Sequence, residues 1–225
     1  MTTVPEVLAL LDLAGATVTL DALGCQKELA RHIRSQQADY VLTVKENQPM
    51  LRAALEETFS VEREAQFEGC PHTAHRTVNG GHGRIEIRRG WAVGDPEYLQ
   101  YVDPEAHWPD LHSLLLVEAE RRVGGQVSTE TRYFISSHPP EARHLLATVR
   151  AHWGIENSLH WVLDVAFRED ESRVRTGHAP RNLCLLRRMA LNLLRQDTSV
   201  QAGVAIRRRK AGRNLAYMEQ VLGLA

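Results

Sequence analysis

Ala16-Thr17-Val18-Thr19-Leu20-Asp21 alternates apolar and polar side chains, so Ala16, Val18 and Leu20 point one way and Thr17, Thr19 and Asp21 the other. The spacing predicts a strand that ends in an acid. Past Gly24, Gln26 to Gln36 reads as a helix with Leu29, Ala30 and Ile33 on its buried side, and Tyr40-Val41-Leu42-Thr43-Val44 reads as the next strand. Strand, helix and strand at this spacing make a βαβ unit, in which the two strands run parallel through a right-handed crossover. The fold class is therefore α/β. In such sheets chemistry gathers at the carboxyl ends of the strands. Asp21 and Lys45 both stand there.

Outward from this unit, Pro5 to Leu13 predicts a Leu-rich helix that Gly15 breaks, and Asn47-Gln48-Pro49 opens another, Met50 to Phe59. Ser60 to Gly90 is polar and rich in His and Gly. Within it, Asn79-Gly80-Gly81-His82-Gly83 lacks the Lys and Ser/Thr of a phosphate-binding loop and reads as a turn. Strands follow at Arg84 to Val93, Leu114 to Arg121 and Ser128 to Ile135, the last two joined by Gly124-Gly125. This middle segment is mainly antiparallel β. Helical spacing returns at Glu141 to Ala151 and again from Pro180 to Leu194.

With 225 residues and 43% hydrophobic content, the chain suits one large domain, or one domain with an insertion. Its apolar runs are far too short for a membrane span, and Met1 is followed by no signal-peptide pattern. Cys25, Cys70 and Cys184 are odd in number and widely spaced, which argues against a disulfide framework and for a reducing cytoplasm. The net charge of −1 hides an asymmetry: from Arg173 to Arg213 there are eleven basic residues and one acid, Asp197. A polyanionic partner and a solvated basic helix face both account for it.

The second decisive stretch runs from His152 to Asp170. At helical period Leu159, Leu163 and Phe167 fall on the face of Glu156, which predicts a carboxylate on an apolar stripe with His160 and Asp164 beside it. A carboxylate facing a core is costly unless paired, protonated or bound to metal. Taken singly, Asp21 is explained as a cap or loop residue and Glu156 as half of a buried salt bridge. Taken together, two acids from distant parts of one α/β domain fit a divalent-metal site, since hard cations such as Mg2+ prefer carboxylate oxygens. Cys70, His72 and His75 lack a fourth ligand at regular spacing and read as a loop. His152 reads as a structural histidine, and Trp153 and Trp161 as core residues or walls of a site.

Leu20 to Lys27, Asp39 to Leu42, Lys45-Glu46-Asn47-Gln48, His82 to Glu86, Arg132 to Ser137 and the block from His152 to Arg175 resemble the DDE transposases of bacterial insertion sequences, in the group of H-repeat-associated proteins. The likeness covers nearly the whole chain in the family's order. It implies an RNase H-like catalytic domain interrupted by a mainly antiparallel β insertion (about 60–137). The catalytic-Glu helix and its successor (about 138–195) and a basic tail (about 196–225) would follow. On this resemblance Asp21 matches the second catalytic aspartate and Glu156 the catalytic glutamate. Both would hold Mg2+ or Mn2+, with Asn157, His160, Asp164 and Lys45 in support. DNA, as transposon ends and target, becomes the expected partner of Arg173, Arg175, Arg181, Arg187, Arg188, Arg207, Arg208, Arg209 and Lys210, with a homo-oligomer left open. His152 and Leu163 stand four before and seven after Glu156, where many relatives carry basic helpers. Relatives also carry a first catalytic aspartate on an earlier strand, in an Asp-Gly-Lys-type motif. The acids ahead of Asp21 here, Glu6 and Asp12, lie in no such motif. The resemblance thus implies an N-terminally truncated, inactive enzyme with an open sheet edge.

Overall fold

A computed structural model describes residues 3–81 and 83–224, without the side chains of Thr3 and Asn157. His82 therefore lies outside the described residues. The chain forms two compact units, residues 1–152 and 153–225.

The first unit is built on the predicted βαβ. Strand β1 (Thr17–Leu20) leads through helix α2 (Lys27–Ser35) to β2 (Asp39–Val44), and the strands pair in parallel with Thr17 opposite Asp39. Helix α1 (Thr3–Leu8) precedes them and stops short of the expected Leu13. Four more strands complete one six-stranded sheet: β3 (His72–Gly81), β4 (Arg84–Val93), β5 (Ser113–Val123) and β6 (Gln126–Ser136). The spatial order is β1-β2-β6-β5-β4-β3, and β2 pairs antiparallel with β6, Val41 opposite Ser136. The segment expected as an insertion thus makes no sheet of its own; its strands extend the sheet that β1 and β2 begin. β1 lies at one edge and β3 at the other.

Two expectations need correction between residues 60 and 90. Helix α3 (Pro49–Glu64) does not end at Phe59, because Glu62 also faces inward, where its carboxylate accepts from the Tyr98 hydroxyl. The polar stretch beyond it contains β3, ten residues long and paired with β4 throughout. Its inward side chains are Thr73, His75, Thr77 and Asn79, all half-buried, so the alternation is real but carries no hydrophobic signal. Gly124 and Gly125, with φ of 56° and 83°, close the β5–β6 hairpin by the tight two-residue turn expected of them.

The apolar run of β5 shows how the sheet is covered. Leu114 and Leu116 enter one buried cluster with Ile33, Tyr40, Leu42, Leu55 and Phe59, under α2, α3 and α4 (Pro96–Val102). Leu115 and Val117 enter the other, with Val41 and Phe134, against Leu145, Leu146 and Val149 of α5 (Ala142–His152). A strand buried on both faces reads as a continuous apolar run. Helix α5 packs against β1 through β5 and reaches both sheet edges. Near its start His138 Nε2 is hydrogen bonded to Thr17 Oγ1 (2.8 Å), and the Ala142 N–H donates to Thr73 Oγ1 (2.7 Å). Near its end His152 Nδ1 is hydrogen bonded to Thr19 Oγ1 (2.9 Å), and Arg150 donates to Asn79 Oδ1 (2.9 Å).

In the second unit the residues expected as a basic tail fold into helices. Helices α6 (Trp161–Phe167), α7 (Ala179–Gln196), α8 (Val204–Ala211) and α9 (Leu215–Leu222) bury Leu163, Ala166, Leu191, Leu194 and Tyr217. Among the described residues no helix is long and apolar enough to cross a membrane.

Leu145 is wholly buried in the α5 cluster, so Leu145→Ala is expected to lower the unfolding free energy by about 2–5 kcal/mol in a urea titration. His138 gives a pH dependence. Burial pushes its pKa below the ordinary 6.5, with Asp39 at 3.9 Å opposing and His144 assisting. The unfolded chain therefore binds a proton near pH 6.5 that the folded chain resists. The stability contributed by neutral His138 is full above that pH and is lost as pH falls toward the depressed value. Denaturation across that window is expected to show this slope, and His138→Gln to remove it.

Candidate active site

Asp21 follows β1 in an extended conformation (φ −71°, ψ −178°), with its side chain exposed and capping no helix. Its carbonyl accepts from the Gly24 N–H (2.9 Å), which closes a tight turn over Ala22–Gly24. A Cβ on Gly24 would lie 2.6 Å from Leu20 Cβ, so the turn that aims Asp21 away from the strand demands glycine there. The loop after β2 holds this turn from the side. Asn47 Nδ2 donates to the Ala22 carbonyl (2.6 Å) and Gln48 Nε2 to the Cys25 carbonyl (2.9 Å). The carboxyl ends of the two parallel strands are thereby locked together. Reading the sequence gave these two amides no place at this turn. The available signal was their place in Lys45-Glu46-Asn47-Gln48, directly after a strand end.

Lys45 is exposed at the end of β2 and lines a cleft of about 240 Å³ with Thr43, Arg52, Glu130, Arg132 and Tyr133. Arg132 beside Glu130 holds that carboxyl below its usual range against the effect of burial, and Lys45 adds to the pull. Arg52 is likewise engaged, between Glu46 and Glu56.

Glu156 corrects the expectation of a buried acid. It opens a π-helical turn, Glu156–His160, in which its carbonyl accepts from the Trp161 N–H five residues on. A π turn takes more residues than the 3.6 of an α-helix, so the i+3 and i+7 positions across it no longer return to one face. Leu163 is buried and Leu159 and Phe167 half-buried, but Glu156 itself is exposed. His160 lies in the same turn and Asp164 in α6, both half-buried; the Asn157 side chain is outside the described residues. Trp153 and Trp161 are not core residues: they are 44% and 61% exposed.

Asp21 and Glu156 belong to different units. Both are exposed, and neither has a salt-bridge partner among the described residues, so their carboxylate oxygens are free for a hard divalent cation. Their donor chemistry fits Mg2+ or Mn2+. Among the described residues no three His, Cys, Asp or Glu side chains gather into a metal-holding group. The same holds for Cys70, His72 and His75; His72 instead stacks on Phe67, centroids 4.5 Å apart.

The basic residues of the second unit divide into two kinds. Some serve its own architecture. Arg207 donates to the carbonyls of Leu194 (2.9 Å) and Asp197 (2.6 Å), satisfying the end of α7. Arg208 lies over Phe167 and Lys210 over Tyr217, at 5.3 and 4.3 Å from the ring centres. Arg175 donates to the carbonyls of Ser172 and Val174, and Arg188 contacts Cys184. Arg209 donates to the Ala205 carbonyl of its own helix. Others are uncommitted: Arg173, Arg181 and Arg213 have no partner among the described residues. Of all eleven, Arg187 alone reaches a carboxylate there, Glu169 at 3.7 Å. Asp197 is occupied, its carboxylate accepting from Tyr217 (2.6 Å) and Ser199 (2.7 Å). Between Arg173 and Arg213, few of these positive charges are compensated by an acid among the described residues.

Comparison with known proteins places these features in a family. The model of the family described as "Transposase DDE domain" matches residues 1–193. The chain is 40% identical over 226 residues to "Putative transposase YncI" of Escherichia coli O157:H7, covering 99% of this chain and 56% of that protein. It is 34% identical over 226 residues to "H repeat-associated putative transposase YhhI" of Escherichia coli K12, covering 99% of this chain and 58% of the relative. The chain thus spans somewhat over half the length of these curated relatives.

Proposed function

Because this chain belongs to the transposase DDE-domain family, we propose that it acts on DNA, as part of a machinery that cuts and joins phosphodiesters by metal-dependent phosphoryl transfer. The six-stranded α/β sheet is, on this reading, an RNase H-like catalytic domain. The observation that carries it is Asp21: an exposed, unpaired carboxylate fixed at the carboxyl end of a parallel strand, where such sheets place their chemistry. Glu156 supplies the second carboxylate. When bound, Mg2+ or Mn2+ stabilises negative charge on the attacking and leaving oxygens of the phosphodiester. The residues of the chain supply the rest. Asn47 and Gln48 hold the turn that presents Asp21, and Lys45 offers a cation to a DNA phosphate next to it. Asn157, His160 and Asp164 support Glu156 from its own helix.

The acids of the chain match two of the three catalytic positions implied by the resemblance. These 225 residues acting alone are therefore expected to bind Mn2+ weakly through Asp21 and Glu156 and to perform no strand transfer. Calorimetric titration should show binding that Asp21→Ala and Glu156→Ala abolish. Mg2+-dependent DNA cleavage by this chain, lost in Glu156→Ala, would overturn the inactivity.

A second reading is favoured by the uncompensated cations of the second unit. The chain would then be a non-catalytic DNA-binding or oligomerising fragment that inhibits a full-length transposase by occupying its DNA ends. If Arg173, Arg181 and Arg213 meet three phosphates, affinity should fall about 40-fold between 50 and 200 mM salt, and replacing two of them by Ala should flatten that slope. Arg207→Ala, by contrast, should lower the melting temperature. DNA binding indifferent to ionic strength rules this reading out.

A further inference from the structure

The face of the sheet that α5 covers carries a group of charges outside the site described above. In one cross-strand row, Asn79 of β3 stands opposite Glu86 of β4, Glu86 opposite Arg121 of β5, and Arg121 opposite Ser128 of β6. Side chains directly opposite share a face and lie about 5 Å apart. Arg150 of α5 donates to Asn79 Oδ1 (2.9 Å), which places the row on the helix side. Four arginines meet there. Arg88 donates to the Glu86 carboxylate, and Arg84 pairs with it at 3.0 Å. Arg121 acts on Glu86 through its charge, with no hydrogen bond or ion pair among the described residues. Arg150 reaches no carboxylate among them.

Two features set this group apart from an ordinary solvated charge pattern. The first is surplus. Burial opposes ionisation of Glu86, yet Arg88, Arg84 and Arg121 hold its carboxyl below the usual range. One carboxylate thus answers four guanidinium groups. The second is unmet hydrogen bonding. Arg88 Nη1, Asn79 Nδ2 and Thr77 Oγ1 are buried and have no partner. Thr77 stands opposite Arg88 and two residues before Asn79, so the three groups are neighbours on that face. Arg150 occupies the Asn79 oxygen, which leaves the amide nitrogen as a donor. Donors in a poorly solvated layer, with no acceptor between them, add to the positive potential of the exposed Arg84, Arg121 and Arg150.

Those three exposed arginines rise from β4, β5 and α5 and do not converge on one point. Such a spread suits repeated single charges better than one small anion. Guanidinium forks match phosphate oxygens. A protein partner would call for an apolar centre, and the row of Asn79, Glu86, Arg121 and Ser128 has none. Resting on the reading that the chain acts on DNA, we propose that Arg84, Arg121 and Arg150 form a phosphate-binding surface for a DNA duplex on the first unit. Glu86 and Arg88 form its floor.

The test is DNA affinity of the full 225-residue chain by fluorescence anisotropy across a salt series, with melting temperatures measured in parallel. Each phosphate contact adds about 0.9 to the steepness of log affinity against log salt. Replacing Arg84 and Arg121 together by Ala is therefore expected to flatten that slope by about 1.8, and Arg150→Ala by about 0.9. Arg76→Ala removes an exposed arginine from the opposite face of β3 and should leave the slope unchanged. Glu86→Gln removes the one carboxylate and should tighten binding at every salt concentration; it decides the matter should the alanine variants fail to fold. A double variant with the wild-type slope, or an equal loss in Arg76→Ala, overturns the surface. If the arginine variants lose inorganic pyrophosphate in a calorimetric titration while their DNA slope stays, the group takes a free phosphate and the DNA assignment is overturned. If only Arg173, Arg181 and Arg213 variants flatten the slope, the chain acts on DNA but not through this surface. If the wild type binds no DNA, the reading that it acts on DNA falls, and this inference falls with it.

Discussion

The first unit depends on one constraint: α5 must touch both edges of the sheet at once. A six-stranded sheet has two exposed edges, and each is an open row of backbone donors and acceptors. Here β1 and β3 are also the strands that hold α5, through Thr17 and Thr19 on one side and Thr73 and Asn79 on the other. The hydrophobic contacts of Leu145, Leu146 and Val149 supply the attraction, but they are non-directional and would tolerate a sliding helix. The four hydrogen bonds sit at the helix ends, where a rotation or slip moves atoms farthest. They choose one orientation among several that bury similar area.

This division of labour explains what could be read from the sequence. The βαβ unit was legible because its signals are apolar: Leu29, Ala30 and Ile33 on one helix face, and Tyr40 to Val44 buried on the sheet. The β5–β6 hairpin was legible because two consecutive glycines with positive φ admit few other readings. β3 was not legible as a strand, although it alternates throughout. Its inward side chains are Thr, His, Thr and Asn, of which Thr73 and Asn79 attach α5 by polar bonds. A search for apolar periodicity is blind to a strand of that kind.

Glu156 failed differently. Its surroundings fit a 3.6-residue period, and that period predicted burial beside Leu163. A single π turn is enough to rotate it off the stripe. Nothing in the local residue types encodes the wider turn, since i→i+5 bonding reflects the competition of neighbouring contacts more than propensity. The basic residues show the converse limit. Their number could be counted, but not their employment: Arg207 closes the end of α7, while Arg181 on the same helix bundle has no partner among the described residues. Charge in a sequence sets the field; which charges remain available to a partner is decided by where the backbone leaves unsatisfied carbonyls.

Asp21 brings these threads to one place. A carboxylate able to hold a cation must be free of competing cations and yet confined, because every rotamer and loop conformation it explores is entropy lost on binding. Exposure provides the first condition and would ordinarily defeat the second. The structure meets both by restraining the backbone and leaving the side chain alone. Gly24 permits a turn that a Cβ would block, and Asn47 and Gln48 grip carbonyls on the far side of it. Thr19 is held two residues upstream. None of these groups touches the carboxylate, so none neutralises it. Amides and hydroxyls are suited to this task where Lys or Arg would not be: they fix geometry through directed bonds while adding no net charge to compete for the acid. That is the physical reason why the residues around this strand end are Thr, Asn and Gln, and why the cation Lys45 stands past the end of the neighbouring strand instead.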